Sequence, residues 1–144
     1  MAVAQLWIVR PMGAWFKAGS WTIDIAPPWS AKDVGHCVEI TQPEGTGALH
    51  ISAARKQDRH VADPDLHGIA VDALPIDTPV ESVSLGDFQG VAGEYTDWNG
   101  NAYWKKWWLS SGALLLHVTY TCPRGDEDIE AEEVERILSG LGTR

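Results

Sequence analysis

The chain lacks most of the features that assign a protein to a class at a glance. It has only two cysteines, Cys37 and Cys122, in 144 residues. Two thiols cannot build the disulfide lattice that small secreted domains use to support a thin core, so both are expected free in a reducing compartment. No apolar run approaches the roughly 20 residues of a membrane-spanning helix. The opening MAVAQLWIVRPMGAW has no basic segment ahead of its short apolar run, which is not the pattern of a secretory signal, so the expected location is cytoplasmic. Positive charge is scarce too: 11 Lys and Arg stand against 20 Asp and Glu, a formal net charge of −9. That balance argues against nucleic acid and anionic membrane as partners, since both are polyanions, and it permits a basic protein partner.

Familiar chemistry is also missing. There is no P-loop, no G-x-S-x-G and no H-E-x-x-H. Gly45-Thr46-Gly47-Ala48-Leu49-His50 imitates the start of a dinucleotide fingerprint, but the third glycine is missing and a strand follows where a helix is needed. His60, Asp63, Asp65 and His67 are metal-ligand types without a standard zinc spacing, and Asp63 reads better as a helix cap. Cys37 follows His36, but neighbours on a strand point to opposite faces, so His36 is a poor base for that thiol. Cys37 and Cys122 read as small packing residues at strand ends. No catalytic residue, no metal ligand and no cofactor is expected.

What the chain has in excess is tryptophan, eight residues of it. A buried Trp removes roughly 200 Å² from water, on the order of 5 kcal/mol before entropy is charged. With 44% hydrophobic and 22% charged residues the composition is globular. The length fits one domain, with residues 1–20 as an N-terminal extension of ambiguous structure and 21–142 as the core. There is no internal repeat, low-complexity segment or linker.

The local patterns predict mostly strands. A short strand is possible at Leu6–Val9, and WTIDI at Trp21–Ile25 alternates until Pro27-Pro28 stops it. Val38–Thr41 and Ala48–Ala54 follow, joined by turn-forming QPEGTG. Asp63-Pro64 opens a helix whose apolar stripe is Leu66, Ile69, Ala70, Ala73 and Leu74, ended by Pro75. Strands are then predicted at Val80–Leu85, Phe88–Thr96, Ala102–Leu109 and Leu114–Thr121, with turns at Asn99-Gly100 and Ser110–Gly112. A last helix is expected from about Glu127 to Leu141, with Val134, Ile137, Leu138 and Leu141 on one face and Gly142 as cap residue. Its acids crowd the first turns, where the helix dipole favours them. The fold class is α+β with a largely antiparallel sheet.

The stretch YWKKWWLSSGALLLHVTYTC, residues 103–122, poses the central question. Leu114, Leu116, Val118 and Tyr120 form one clean face of the last strand; Leu115, His117, Thr119 and Thr121 form the other. The turn between the strands decides which tryptophans join which face. A two- or four-residue turn places Tyr103, Lys105, Trp107 and Leu109 with the apolar face and Trp104, Lys106 and Trp108 with His117. A three-residue loop exchanges the sets. Either way each face receives a lysine and at least one Trp. That fits a sheet covered by a helix on both sides with lysine stems passing the rings, or an aromatic, partly exposed platform.

The succession of WTIDIAPPW, ALHISAARK, LGDFQG, a Trp-rich hairpin ending LLLHVTYTCP and an acidic helix closing in ILSGL resembles the PsbP-like superfamily over roughly residues 20–142. The resemblance implies an antiparallel sheet sandwiched between helices, with helices on both faces. It also implies a mostly non-enzymatic family whose members act in photosystem assembly, bind a nuclear-transport GTPase, or serve as adaptors for secreted bacterial effectors. It carries over no site residues. The leading functional expectation is therefore a cytoplasmic protein-interaction module, an adaptor for a secreted effector or an immunity-type protein, with a second copy of itself as another possible partner. Its candidate surface is Trp104, Lys106, Trp108 and His117 together with Glu130 and Glu133 of the acidic segment. The alternatives are a small-molecule-binding domain or hydrolase with a pocket beside the Trp-rich hairpin and His117 as base, and a purely structural domain.

Overall fold

The computed structural model of the chain describes residues 5–10, 13–18, 20–55, 63–97 and 99–143, with the backbone alone for 5–18 and 63–64. Among the described residues eleven strands and two helices follow in order: β1 Gln5–Arg10, β2 Gly13–Ala18, β3 Trp21–Ile25, β4 Ser30–Asp33, β5 Val38–Thr41, β6 Ala48–Arg55, α1 Asp63–Ala73, β7 Glu81–Leu85, β8 Phe88–Thr96, β9 Ala102–Ser111, β10 Leu114–Pro123, α2 Ala131–Leu138 and β11 Gly142–Thr143. They form a seven-stranded sheet, β4-β5-β6-β10-β9-β8-β7, and a four-stranded one, β1-β2-β3-β11. Every strand pair in both is antiparallel. The class is α+β with β dominant. No described helix is long and apolar enough to cross a membrane.

Turn chemistry fixes which side chains share a face. Ser111 pairs with Leu114, so the β9–β10 loop is the two-residue Gly112-Ala113, one position later than Ser110–Gly112. Gly112 has φ +60° and Ala113 is not left-handed, the pattern of a type II′ turn, which needs a residue free of Cβ at its first central position. That parity puts Tyr103, Lys105, Trp107 and Leu109 on the face of Leu116, Val118 and Tyr120, and Trp104, Lys106 and Trp108 on the face of His117, Thr119 and Thr121. The β8–β9 connection is wider than a two-residue Asn-Gly hairpin. Thr96 pairs with Tyr103, and the Asp97 carboxylate accepts the backbone N–H groups of Asn101 (3.0 Å) and Ala102 (3.2 Å).

The apolar face carries the main core. Ile40, Leu49, Ile51, Trp107, Leu109, Leu116 and Val118 of the large sheet join Trp21, Ile23 and Ile25 of β3 and Val134, Ile137 and Leu138 of α2. This face was expected to lie beneath a helix; a second sheet joins α2 in covering it. β1 and β2, inside the segment set apart as an extension, build that second sheet on β3, and Gly142 extends it in β11 instead of capping a helix. β4 escaped the sequence pattern because SAKD buries only Ala31 and pairs on one side alone.

On the opposite face, Leu66 and Ala70 of α1 and Leu74 just after it pack against Val91 and Trp108, with Val80, Tyr95 and Leu115 at the margin. Ile69 and Ala73, placed on the stripe by periodicity, point outward. His67 is exposed; His60 and the side chain of Asp63 lie outside the described residues. Among the described residues no group of three His, Cys, Asp or Glu side chains could hold a metal ion.

Candidate functional site

Among the described residues, α1 covers only half of the sheet face it packs on, and the other half is polar. Three cross-strand rows run over it. His117 lies between Ser52 of β6 and Trp108 of β9. Thr119 lies between His50 and Lys106, and His50 is opposite Glu39 of β5. Thr121 lies between Ala48 and Trp104, and Trp104 is opposite Tyr95. Side chains on one face of adjacent strands stand about 5 Å apart, so these rows form a continuous surface. They border a groove of about 380 Å³, bounded by Trp104, Thr121, Thr119 and His117 on one side and by His50, Ser52, His36 and Cys37 on the other. A volume of this size is typical of small-molecule sites.

Each wall has its own chemistry. His117 stacks on Trp108, ring centroids 5.2 Å apart and planes 18° from parallel. Its Nε2 is buried with no hydrogen-bond partner among the described residues. Burial, with the Lys106 ammonium as second cause, pushes the His117 pKa down, so the ring is neutral at pH 7. His50 Nε2 lies 3.0 Å from Glu39 Oε2, which fixes that ring. Thr121 donates its hydroxyl to the Tyr103 carbonyl at 3.0 Å. The Lys106 ammonium sits 5.2 Å from the Trp104 ring centroid and 5.4 Å from that of Tyr95. Burial and the carboxylates of Glu39 and Asp33 push the Cys37 thiol up, which disfavours the thiolate a nucleophile needs.

The lowered His117 pKa has a thermodynamic consequence. The unfolded chain binds a proton near pH 6.5, while the folded chain binds it only at lower pH. The contribution of neutral His117 is therefore complete above pH 6.5 and is lost as pH falls from there through the lowered native value. Urea midpoints at pH 7.5 and 5.5 should differ less in His117→Phe than in wild type; equal differences would show that His117 does not set this dependence.

The six residues proposed from sequence divide into two groups. Trp104, Lys106, Trp108 and His117 share one face, but Trp108 is only 4% exposed beneath α1, so the pair of exposed tryptophans imagined as a platform is one half-buried rim residue and one core residue. Glu130 and Glu133 belong to the other side of the sheet, with α2. Glu130 is 1% exposed and accepts hydrogen bonds from Tyr120 Oη (2.7 Å), Gly47 N (2.9 Å) and Gln42 Nε2 (2.5 Å). Glu133 accepts from Trp29 Nε1 at 2.9 Å. Neighbouring acids are engaged too: Asp126 accepts from Thr46 at 2.5 Å and Glu127 from Gly125 N at 2.6 Å. These bonds hold residues 126–130 in turns, so α2 starts at Ala131 and not at Glu127. The buried Glu130 offers no surface to a partner.

His50, Ser52, Thr119 and Thr121 were not singled out as site residues. Their signal was present: β6 and β10 are central strands whose alternate residues are polar, which a fully covered central strand avoids.

No family model matches the chain, and no curated protein matches it. Among solved structures, it is similar to a crystal structure from Bacteroides thetaiotaomicron VPI-5482, with a TM-score of 0.62 and 18% identity over 86% of this chain and 45% of that one. The likeness at that identity is one of fold, and the chain spans less than half the length of the protein it matches.

Proposed function

We propose that the protein is a small-molecule-binding domain whose site is the groove beside the Trp-rich hairpin. One observation carries the reading: a groove of about 380 Å³ on the large sheet, where an indole wall meets hydroxyl and imidazole groups. Ligand sites combine an apolar wall with a few fixed polar groups, because stacking supplies affinity and hydrogen bonds supply orientation. The disfavoured Cys37 thiolate supports binding over covalent chemistry. The fold reading that accompanies the proposal is PsbP-like, with α1 on one face and α2 toward the other in its support, and the compartment that goes with it is the cytoplasm.

The test is a screen of planar fragments by two-dimensional NMR. Binders should move the Trp104 indole resonance and the backbone amides of Ser52, His117 and Thr119 together, and Trp104→Ala should weaken them about tenfold, roughly 1.4 kcal/mol. Perturbations clustered elsewhere, or unchanged affinity in the folded variant, would remove the groove as the site. A protein-interaction reading keeps one specific support, the apolar outer side of α1 and its exit, where Ile69 is 42%, Val71 52% and Ile76 92% exposed.

A further inference from the structure

The two adjacent lysines of β9 have opposite surroundings. Lys105, on the main-core face, lies 3.3 Å from Glu135 and 4.0 Å from Glu81. Lys106 shares the sheet face of the groove and stands at its Trp104 edge, outside the lining residues; it has no carboxylate within ion-pair distance among the described residues, and its ammonium is held over the rings of Trp104 and Tyr95 instead. Glu39, the acid on its own cross-strand row, is engaged by His50 and lies three strands away, about 14 Å. In a chain of net charge −9, a cation with no acid beside it among the described residues is a specific arrangement.

Given the ligand groove proposed above, we propose that it selects a small planar monoanion, a carboxylic acid whose flat body stacks on Trp104 and whose carboxylate pairs with Lys106. The chemistry of the neighbours fits this ligand. Thr119 is directly opposite Lys106 in register and lines the groove, so a hydroxyl-bearing side chain neighbours the lysine on the same face. The aromatic rings keep water from one side of the ammonium, which strengthens an ion pair relative to one in open solvent. The overall negative charge opposes an incoming anion, and so do Glu39 and Asp33 behind the Cys37 wall, but charges are screened over about 8 Å at physiological salt, so an anion stacked at the Trp104 edge meets Lys106 first. One lysine without an arginine or a glycine-rich loop suits a single carboxylate better than a phosphate dianion.

The experiment titrates the folded full-length chain with planar acids, each paired with its neutral amide, beginning with indole-3-acetate and indole-3-acetamide. The Trp104 indole resonance and calorimetry are the readouts. The acid should bind about tenfold more tightly, with a preference that shrinks as salt is raised. Lys106→Met keeps the apolar stem on the rings and should bring the acid to the level of the amide without changing the amide. If acid and amide bind alike in wild type, the charge selection is wrong and the groove stands. If Lys106→Met weakens both equally, the lysine is only a wall and the selection is again wrong. If no member of the set moves Trp104, the groove reading falls and the selection falls with it.

Discussion

Truncating Trp107 to alanine should lower the unfolding free energy by about 4 kcal/mol, the range measured for large aromatic-to-alanine changes in packed cores. The indole is 1% exposed and lies among the residues that join the large sheet to β3 and α2. Its removal leaves a void between two sheets and a helix, none of which can collapse without moving the others. For a domain of this size that is a large share of the usual 5–15 kcal/mol. Trp107→Phe should cost much less, about 1–2 kcal/mol. The smaller ring loses contacts, but the indole N–H it removes is buried without a hydrogen-bond partner among the described residues, so a desolvation cost of wild type disappears with it. Urea denaturation of the three proteins measures both steps. A Phe variant as unstable as the Ala variant would show that indole shape outweighs the orphaned N–H.

Glu130→Ala should be nearly as damaging, about 3 kcal/mol, although the residue sits in the most acidic stretch of the chain. Both carboxylate oxygens accept bonds, from β10 through Tyr120 and from the β5–β6 connection through Gln42 and Gly47. Hydrogen bonds to a charged group contribute roughly 1.5–3 kcal/mol each before correlations, and deletion leaves buried donors unpaired. The Tyr120 hydroxyl is the clearest case: burial, the bond to Glu130 and the charge of Glu130 all raise its pKa, in that order. Glu132→Ala, two residues further on and exposed, should change stability by less than about 0.5 kcal/mol. If both substitutions had the same small effect, the Glu130 network would not hold β10 to the β5–β6 connection.

Much of the architecture was legible in local patterns. Phe88–Thr96 as a strand and the alternation of WTIDI and VEIT depend on side-chain period, which acts within a few residues, and α1 begins at Asp63, where the Asp-Pro pair was read as a helix start. The failures share a cause. SAKD of β4 carries little apolar alternation, because an edge strand is paired on one side only. Residues 126–130 look like a helix start, and they form turns because Thr46, Gln42 and Tyr120, all distant in sequence, claim their carboxylates.

The sequence by itself determined an acidic, tryptophan-rich α+β domain with a two-faced hairpin, and it named Trp104, Lys106, Trp108 and His117 as the residues to watch. Only the tertiary structure decided their roles. The two-residue turn at Gly112-Ala113 set the parity of β9 against β10, α1 came to rest over Trp108 and not over Trp104, and β6 brought Ser52 opposite His117 and His50 opposite Thr119. Period and propensity report which face a residue occupies within its own strand. Whether that face is covered is set by elements far away in the chain, and no local pattern records where they pack.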